Sequence, residues 1–111
     1  MAYPRQFLSE SNFMLAFTRL VRSGNKEYKH YYRHLLQAYG LALEKNLADL
    51  RAAIRDGRFR PSRPLVVYQP KKSLILRPLT LLSVTDLIVY QAIANVIAEK
   101  FFEEQQRHAL K

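Results

Sequence analysis

Residues 68–84, which read YQPKKSLILRPLTLLSV, decide the fold of this chain. Two short runs of β-favouring residues, 65–68 and 74–76, lie on either side of a polar corner at 69–73. That pattern predicts a β-hairpin with a basic tip. Pro70 cannot donate a backbone hydrogen bond to a central ladder, so we expect it at the corner or on an edge. Pro78 lacks the same donor and limits pairing beyond the second run.

The hairpin lies in a segment whose charge is uncompensated. Between Gly57 and Thr80 the chain has six Lys or Arg residues and no Asp or Glu. The six cations are Arg58, Arg60, Arg63, Lys71, Lys72 and Arg77. A basic segment that folds back on itself is a candidate phosphate-binding surface. The alternative is a solvated hairpin whose lysines discourage pairing with another strand, and the residues alone leave both interpretations open.

Composition indicates a basic globular protein. The 111 residues fit one domain or part of a larger one. Lys and Arg number 18 against 9 Asp and Glu, giving a net charge of +9. This excess favours a polyanionic partner, whether nucleic acid, an anionic membrane or an acidic protein surface. No cysteine is present, which excludes disulfides and thiolate metal sites. Without a signal peptide or an apolar run of about 18 residues, we expect a soluble, cytoplasmic protein with no membrane partner.

Two helical regions are predicted before the basic segment. Ser9 or Ser11 could cap a first helix ending near Arg22, which makes residues 1–24 an N-terminal helical unit. Apolar residues at steps of three or four then predict one long helix within residues 25–57. Gly40 weakens its middle, so a bend or break there is possible.

The last region, residues 58–111, combines the hairpin with a final helix. Ser83 is the predicted cap and Asp86 an acidic residue of the first turn, placed there as a helix-start residue rather than a metal ligand. Apolar residues from Leu87 to Phe101 cover most of the circumference, so we expect this helix to run to about Gln105 and to be heavily buried. The predicted fold class is therefore α+β, mainly α-helical with a β-hairpin.

Two clusters near the start of the long helix have competing interpretations. Tyr28, Tyr31 and Tyr32 alternate with basic residues, which suits nucleic acid because rings stack on bases while cations meet phosphates. The favoured interpretation is that Tyr28 and Tyr32 extend the apolar stripe and that the basic side chains are solvated. His30 and His34 have the spacing of two metal ligands on one helical face, but no Glu lies between them and no third ligand is evident, so surface histidines are favoured.

Catalytic patterns are missing from the sequence. No set of carboxylates is arranged for two-metal phosphoryl transfer. There is no Cys nucleophile, no GxSxG elbow and no Gly-rich phosphate loop. The sequence therefore predicts no catalytic residue and no metal ligand within this chain.

The order of several short motifs resembles a known family. Gly57-Arg58-Phe59-Arg60-Pro61 is followed by Pro70-Lys71-Lys72, then by Arg77-Pro78-Leu79, by an Asp-led helix from Asp86, and by Lys100-Phe101. Residues 43–101 thereby resemble the N-terminal fingers region of reverse transcriptases, particularly the bacterial group II intron, retron and defence-associated branches. The family usually has Gly within the hairpin and Arg after the helix-opening Asp. In this chain, residues 72–76 contain no Gly, and Leu87 stands where the Arg is usual. These departures fit the defence-type branch better.

The resemblance implies a fold and a set of roles. It implies the fingers portion of a right-hand polymerase fold, in which Lys71, Lys72 and Arg77 occupy positions that meet the triphosphate of the incoming deoxynucleotide. By the same likeness, Arg58, Arg60 and Arg63 would meet the backbone of an RNA template or RNA–DNA hybrid. The palm, which carries the catalytic aspartates, and the thumb are expected as partners. The parent enzyme is expected to use Mg²⁺, bound outside this segment.

Two other functions remain open from the sequence. One is a free-standing basic module that binds nucleic acid through phosphates without any polymerase activity. The other is a helical adaptor whose charge serves only solubility.

Overall fold

The computed structural model describes residues 5–22, 26–70 and 75–109, without the side chains at 26–31, 69–70, 77, 79 and 108–109. Four helices and two strands follow one another along the chain. They are α1 (Glu10–Arg22), α2 (Lys26–Gly40), α3 (Leu43–Arg55), β1 (Leu65–Pro70), β2 (Leu76–Leu81) and α4 (Val84–Ala109). The α+β class, mainly helical with one antiparallel hairpin, is confirmed. None of the described helices is both long enough and apolar enough to cross a bilayer.

Helix α1 begins where the sequence predicts it. The Ser9 hydroxyl oxygen accepts a hydrogen bond from the backbone N–H of Asn12 at 3.2 Å, which satisfies one of the unpaired donors of the first turn. The same hydroxyl donates to the carbonyl of Gln6 at 2.9 Å. Ser9 rather than Ser11 is therefore the cap. The helix buries Phe13 and Ala16 completely.

The predicted long helix within 25–57 is two helices, separated by Leu41 and Ala42. The break follows Gly40, the residue at which the sequence allows one. A Cβ on Gly40 would lie 3.3 Å from the ring of Phe17, so the end of α2 approaches α1 closely. The Asn46 side chain donates to the Tyr39 carbonyl at 2.9 Å and ties α3 back to α2 across the corner.

A single core joins α1, α3 and α4, and the main packing is that of α1 on α4. Its members are buried side chains of these helices and of the turn before α1. They are Phe7, Phe13, Ala16, Leu47, Leu50, Ile54, Ile88, Val89, Ala92 and Val96. Burial of such side chains contributes roughly 1.5–3 kcal/mol each for the larger ones, so this core carries the stability of the helical body, a name we use for α1–α4 together.

A buried amide orders the contact between α1 and α4. Asn95 is 7% exposed, and its amide nitrogen donates to the Asn12 side-chain oxygen at 3.2 Å. Its own oxygen accepts from Arg19 at 2.6 Å and from Gln91 at 3.0 Å. The bonds with Asn12 and Arg19 cross from α4 to α1 and are satisfied only in one alignment of the two helices, which they therefore specify. Nothing in the periodic pattern of the sequence identified this network.

The half-buried ring of Tyr39 stacks on Phe17, with ring centroids 6.0 Å apart. Burial, together with the negative charge of Asp49, raises the pKa of Tyr39 to about 12. The neutral phenol is therefore the form that the fold favours.

The hairpin forms, but its second strand extends further along the chain than expected. β1 pairs antiparallel with β2 from Leu65 opposite Leu81 to Pro70 opposite Leu76. The second strand thus starts at Leu76 and runs through Pro78 to Leu81, whereas the sequence placed it at 74–76 with Arg77 following and Pro78 limiting further pairing. The prediction was wrong because it treated Pro78 as a limit. In a two-stranded sheet each strand has an open edge, where a proline without an N–H is tolerated.

The expected heavy burial of α4 is also wrong. Ile88 and Ala92 are fully buried, but Ile93 is 39%, Ile97 62% and Phe101 61% exposed. The apolar residues do surround the helix, as the sequence shows. However, the other helices cover only one side of α4, and no other described element covers the opposite side. The helix also continues to Ala109, beyond the predicted end near Gln105.

Candidate nucleic-acid interface

The basic connector, residues 58–64, leaves α3 through a well-defined helix end. Gly57 takes the left-handed conformation, with φ of 72°. Its N–H donates to the Ile54 carbonyl at 3.1 Å, and the Arg58 N–H donates to the Ala53 carbonyl at 2.8 Å. These two bonds form the Schellman pattern, for which glycine is preferred because a Cβ disfavours positive φ. The start of the connector is thereby fixed, and Phe59 packs against the core.

The three arginines assigned to nucleic-acid backbone are all exposed on this connector. Arg58 forms an ion pair with Asp56 at 3.3 Å, between groups that are both more than half exposed. Such a surface pair contributes little stability, so a phosphate could replace the carboxylate. Arg60 donates through one nitrogen to the carbonyls of Gly57 and Phe59 at 3.0 and 2.8 Å. Its other guanidinium N–H groups point away from those bonds and can meet an anion.

Both ends of the hairpin are attached to the helical body. On the entering side, the Ser62 N–H donates to the Asp86 carboxylate at 2.9 Å. On the leaving side, the Tyr32 hydroxyl donates to the Leu82 carbonyl at 2.7 Å. Ser83 caps α4 by accepting the Asp86 N–H at 3.2 Å, which confirms the predicted cap. The hairpin therefore has a fixed base formed by α2 and the first turn of α4.

Beyond this base, the hairpin projects with exposed side chains. β1 and β2 pack mainly on each other. The pairing places Val66, Tyr68, Leu76 and Pro78 on one face, because partners across an antiparallel ladder share a face. Val66 is 50%, Tyr68 64% and Leu76 59% exposed. The face that holds Val66, Tyr68 and Leu76 is therefore open to a ligand.

The residues assigned to the nucleotide triphosphate are placed only in part. Lys71 and Lys72 lie outside the described residues. Arg77 is described by its backbone, which is opposite Gln69 and one pair from the end of the ladder. The structure thus puts Arg77 near the tip of the hairpin, and the connector arginines near its base. Arg77 and the connector arginines therefore lie toward opposite ends of the ladder.

The structure describes only some of the tyrosine and histidine side chains that the sequence offered as candidates. Tyr32 is buried, and its hydroxyl is used at the base of the hairpin, as the packing interpretation requires. The side chains of Tyr28, Tyr31 and His30 lie outside the described residues, while His34 is exposed. Among the residues described, no three His, Cys, Asp or Glu side chains are grouped to hold a metal.

Two features of the interface were not identified from the sequence. Tyr68 was read as a strand residue, and only the pairing shows that its ring lies on an open face beside Val66 and Leu76. The contacts of Asp86 and Tyr32 with the hairpin base join positions 24 and 50 residues apart. No local pattern encodes such pairs; an Asp in the first turn of the last helix and a Tyr at the start of an apolar stripe were the only available signals.

Neither a protein-family model nor a curated protein matches this chain.

Proposed function

We propose that this chain is the fingers portion of an RNA-directed DNA polymerase, which binds template and nucleotide phosphates and takes its catalytic aspartates from a palm. The observation that supports this best is the hairpin itself: a projecting basic ribbon fixed at its base to a helical body. The motif order that resembles reverse transcriptases runs through the same elements.

The charges support phosphate binding at two points. Arg58, Arg60 and Arg63 at the base would meet the sugar-phosphate backbone of an RNA template or RNA–DNA hybrid, where contacts position the duplex without reading its sequence. Lys71, Lys72 and Arg77 at the tip end would meet the deoxynucleotide triphosphate, because guanidinium and ammonium groups stabilise phosphoryl oxygens. Any Mg²⁺ would be held by carboxylates of the palm, acting in concert with these cations.

Salt dependence of hybrid binding tests the proposal. Each phosphate contact with a cation contributes about one unit to the slope of log K against log salt. The triple variant R58A/R60A/R63A should therefore reduce that slope by about 2–3 relative to the unchanged chain. A matched variant, R22A/R33A/R55A, removes three exposed arginines of the helical body and the same net charge. It should leave most of the slope intact.

The outcome separates the rival functions. Equal losses in the two triple variants would mean that net charge alone attracts the hybrid, which contradicts a localised interface. Absence of any salt-dependent binding would favour the helical adaptor. Localised binding together with no contribution to nucleotide addition in a protein containing the palm would favour the free-standing binding module.

A further inference from the structure

Asp86 is in an unusual environment for a carboxylate. Its side chain is 2% exposed. One oxygen accepts the Ser62 N–H at 2.9 Å, and the other, Oδ1, is buried without a hydrogen-bond partner among the described residues. A buried carboxylate that is only half satisfied is costly, because desolvation of the free oxygen is not offset.

Starting the helix does not require this arrangement. Ser83 already accepts the Asp86 N–H, and an exposed Asp in the first turn would interact with the helix dipole equally well. What distinguishes Asp86 is that its carboxylate reaches across to a segment 24 residues earlier. The burial therefore serves a tertiary contact.

That contact holds the entering end of the hairpin. Ser62 lies three residues before β1, whereas the Tyr32 bond holds Leu82 directly after β2. With both bonds present, the base of the ribbon is attached at two points, which defines the direction in which it leaves the helical body. With one bond, the entering strand could pivot about Leu82.

We propose that Asp86 is a positioning residue, which fixes the direction of the hairpin through Ser62 and so places the connector arginines and the tip for phosphate binding. The link to phosphate binding rests on the proposed function, whereas the effect on hairpin direction does not. Asp86 touches no ligand in this proposal and acts only through the connector.

The absence of cysteine from the chain allows a direct test. Spin labels on cysteines replacing Leu76 and Ala48 report the distance from the hairpin to α3, and labels at Ala48 and Ala94 report the distance from α3 to α4. All three positions are exposed. Double electron–electron resonance spectroscopy then measures these distances in the unchanged chain, in D86A, which removes the acceptor, and in S62P, which removes the donor N–H.

The unchanged chain should give one narrow distribution for each label pair. D86A and S62P should each broaden the hairpin distribution about twofold and leave the α3–α4 distribution unchanged. The double variant should broaden it no further, since both changes remove the same bond. D86N and S62A, which keep an acceptor oxygen and the N–H respectively, should retain the narrow distribution. An unaltered hairpin distribution, or equal broadening of both pairs, would overturn the proposal.

Binding to a short RNA–DNA hybrid tests the connection to function. D86A should bind about 5–10-fold more weakly than D86N, because binding must then also order the hairpin. The salt slope should be unchanged, since the same phosphate contacts form in the complex. The two variants have the same net charge, which makes them a matched pair. If D86A broadens the hairpin distribution but binds as tightly as D86N, the link between hairpin direction and phosphate binding is refuted. If the unchanged chain fails to bind hybrid, the proposed function fails while the distances still decide whether Asp86 fixes the hairpin.

Discussion

Arg77 is the residue whose assigned role is easiest to test. Its backbone lies near the tip of the hairpin, opposite Gln69, where the proposed function places the triphosphate. A hydrogen bond to a charged group contributes roughly 1.5–3 kcal/mol, so R77A in a protein containing the palm should raise the apparent nucleotide KM, or lower the polymerisation rate, by about tenfold. R63A is the control at the base of the ribbon and should affect template affinity instead. Steady-state kinetics that are the same for R77A and the unchanged protein would remove Arg77 from this role.

Tyr39 gives a prediction that concerns stability alone. Its pKa is raised by burial and by Asp49 to about 12, from 10.0. The folded state thus holds the phenolic proton more tightly, and this contribution is complete below pH 10 and is lost as the pH rises from 10 to 12. Denaturant unfolding of Y39F should therefore lose less stability across that range than the unchanged chain. Parallel pH curves for the two proteins would show that the phenol is not responsible.

Among the elements, α4 has one side packed against the other helices and one side exposed, and substitutions on the two sides should differ in their cost to stability. I88A removes a fully buried side chain and should lower the free energy of unfolding by about 2–5 kcal/mol. I97A truncates a residue that is 62% exposed, and its effect should stay within about 0.5 kcal/mol. Urea denaturation of both variants measures the contrast. A cost for I97A approaching that of I88A would mean that the open side is covered in solution.

The elements also show which features a sequence can predict. The hairpin, the caps at Ser9 and Ser83, and the weak point at Gly40 were accessible because each depends on residues close together in the chain. The extent of β2 beyond Pro78 was missed because a proline's effect depends on which strand edge it faces. The burial of α4 was overestimated because periodicity identifies apolar residues and not the element that covers them. The direction of the hairpin depends on the pair Asp86 and Ser62, which only the tertiary structure brings together.

At the scale of the whole molecule, the chain has a net charge of +9. Its described residues include no group of three His, Cys, Asp or Glu side chains that could hold a metal ion. Phosphoryl transfer in the two-metal mechanism requires carboxylates that hold both cations. Because the proposed function assigns these carboxylates to the palm, the chain alone should show no primer extension on an RNA template with Mg²⁺ or Mn²⁺. Addition of a palm-containing polypeptide is the informative comparison. Extension by the isolated chain would reveal a catalytic site that neither its motifs nor its contacts indicate.

The corner between α2 and α3 has a practical consequence. Leu41 is 89% exposed. The bond from the Asn46 side chain to the Tyr39 carbonyl joins the two helices without involving Leu41. Exposed corners of this kind tolerate added sequence. A short flexible epitope inserted between Leu41 and Ala42 should therefore leave the thermal transition nearly unchanged, which gives an attachment point for surface immobilisation.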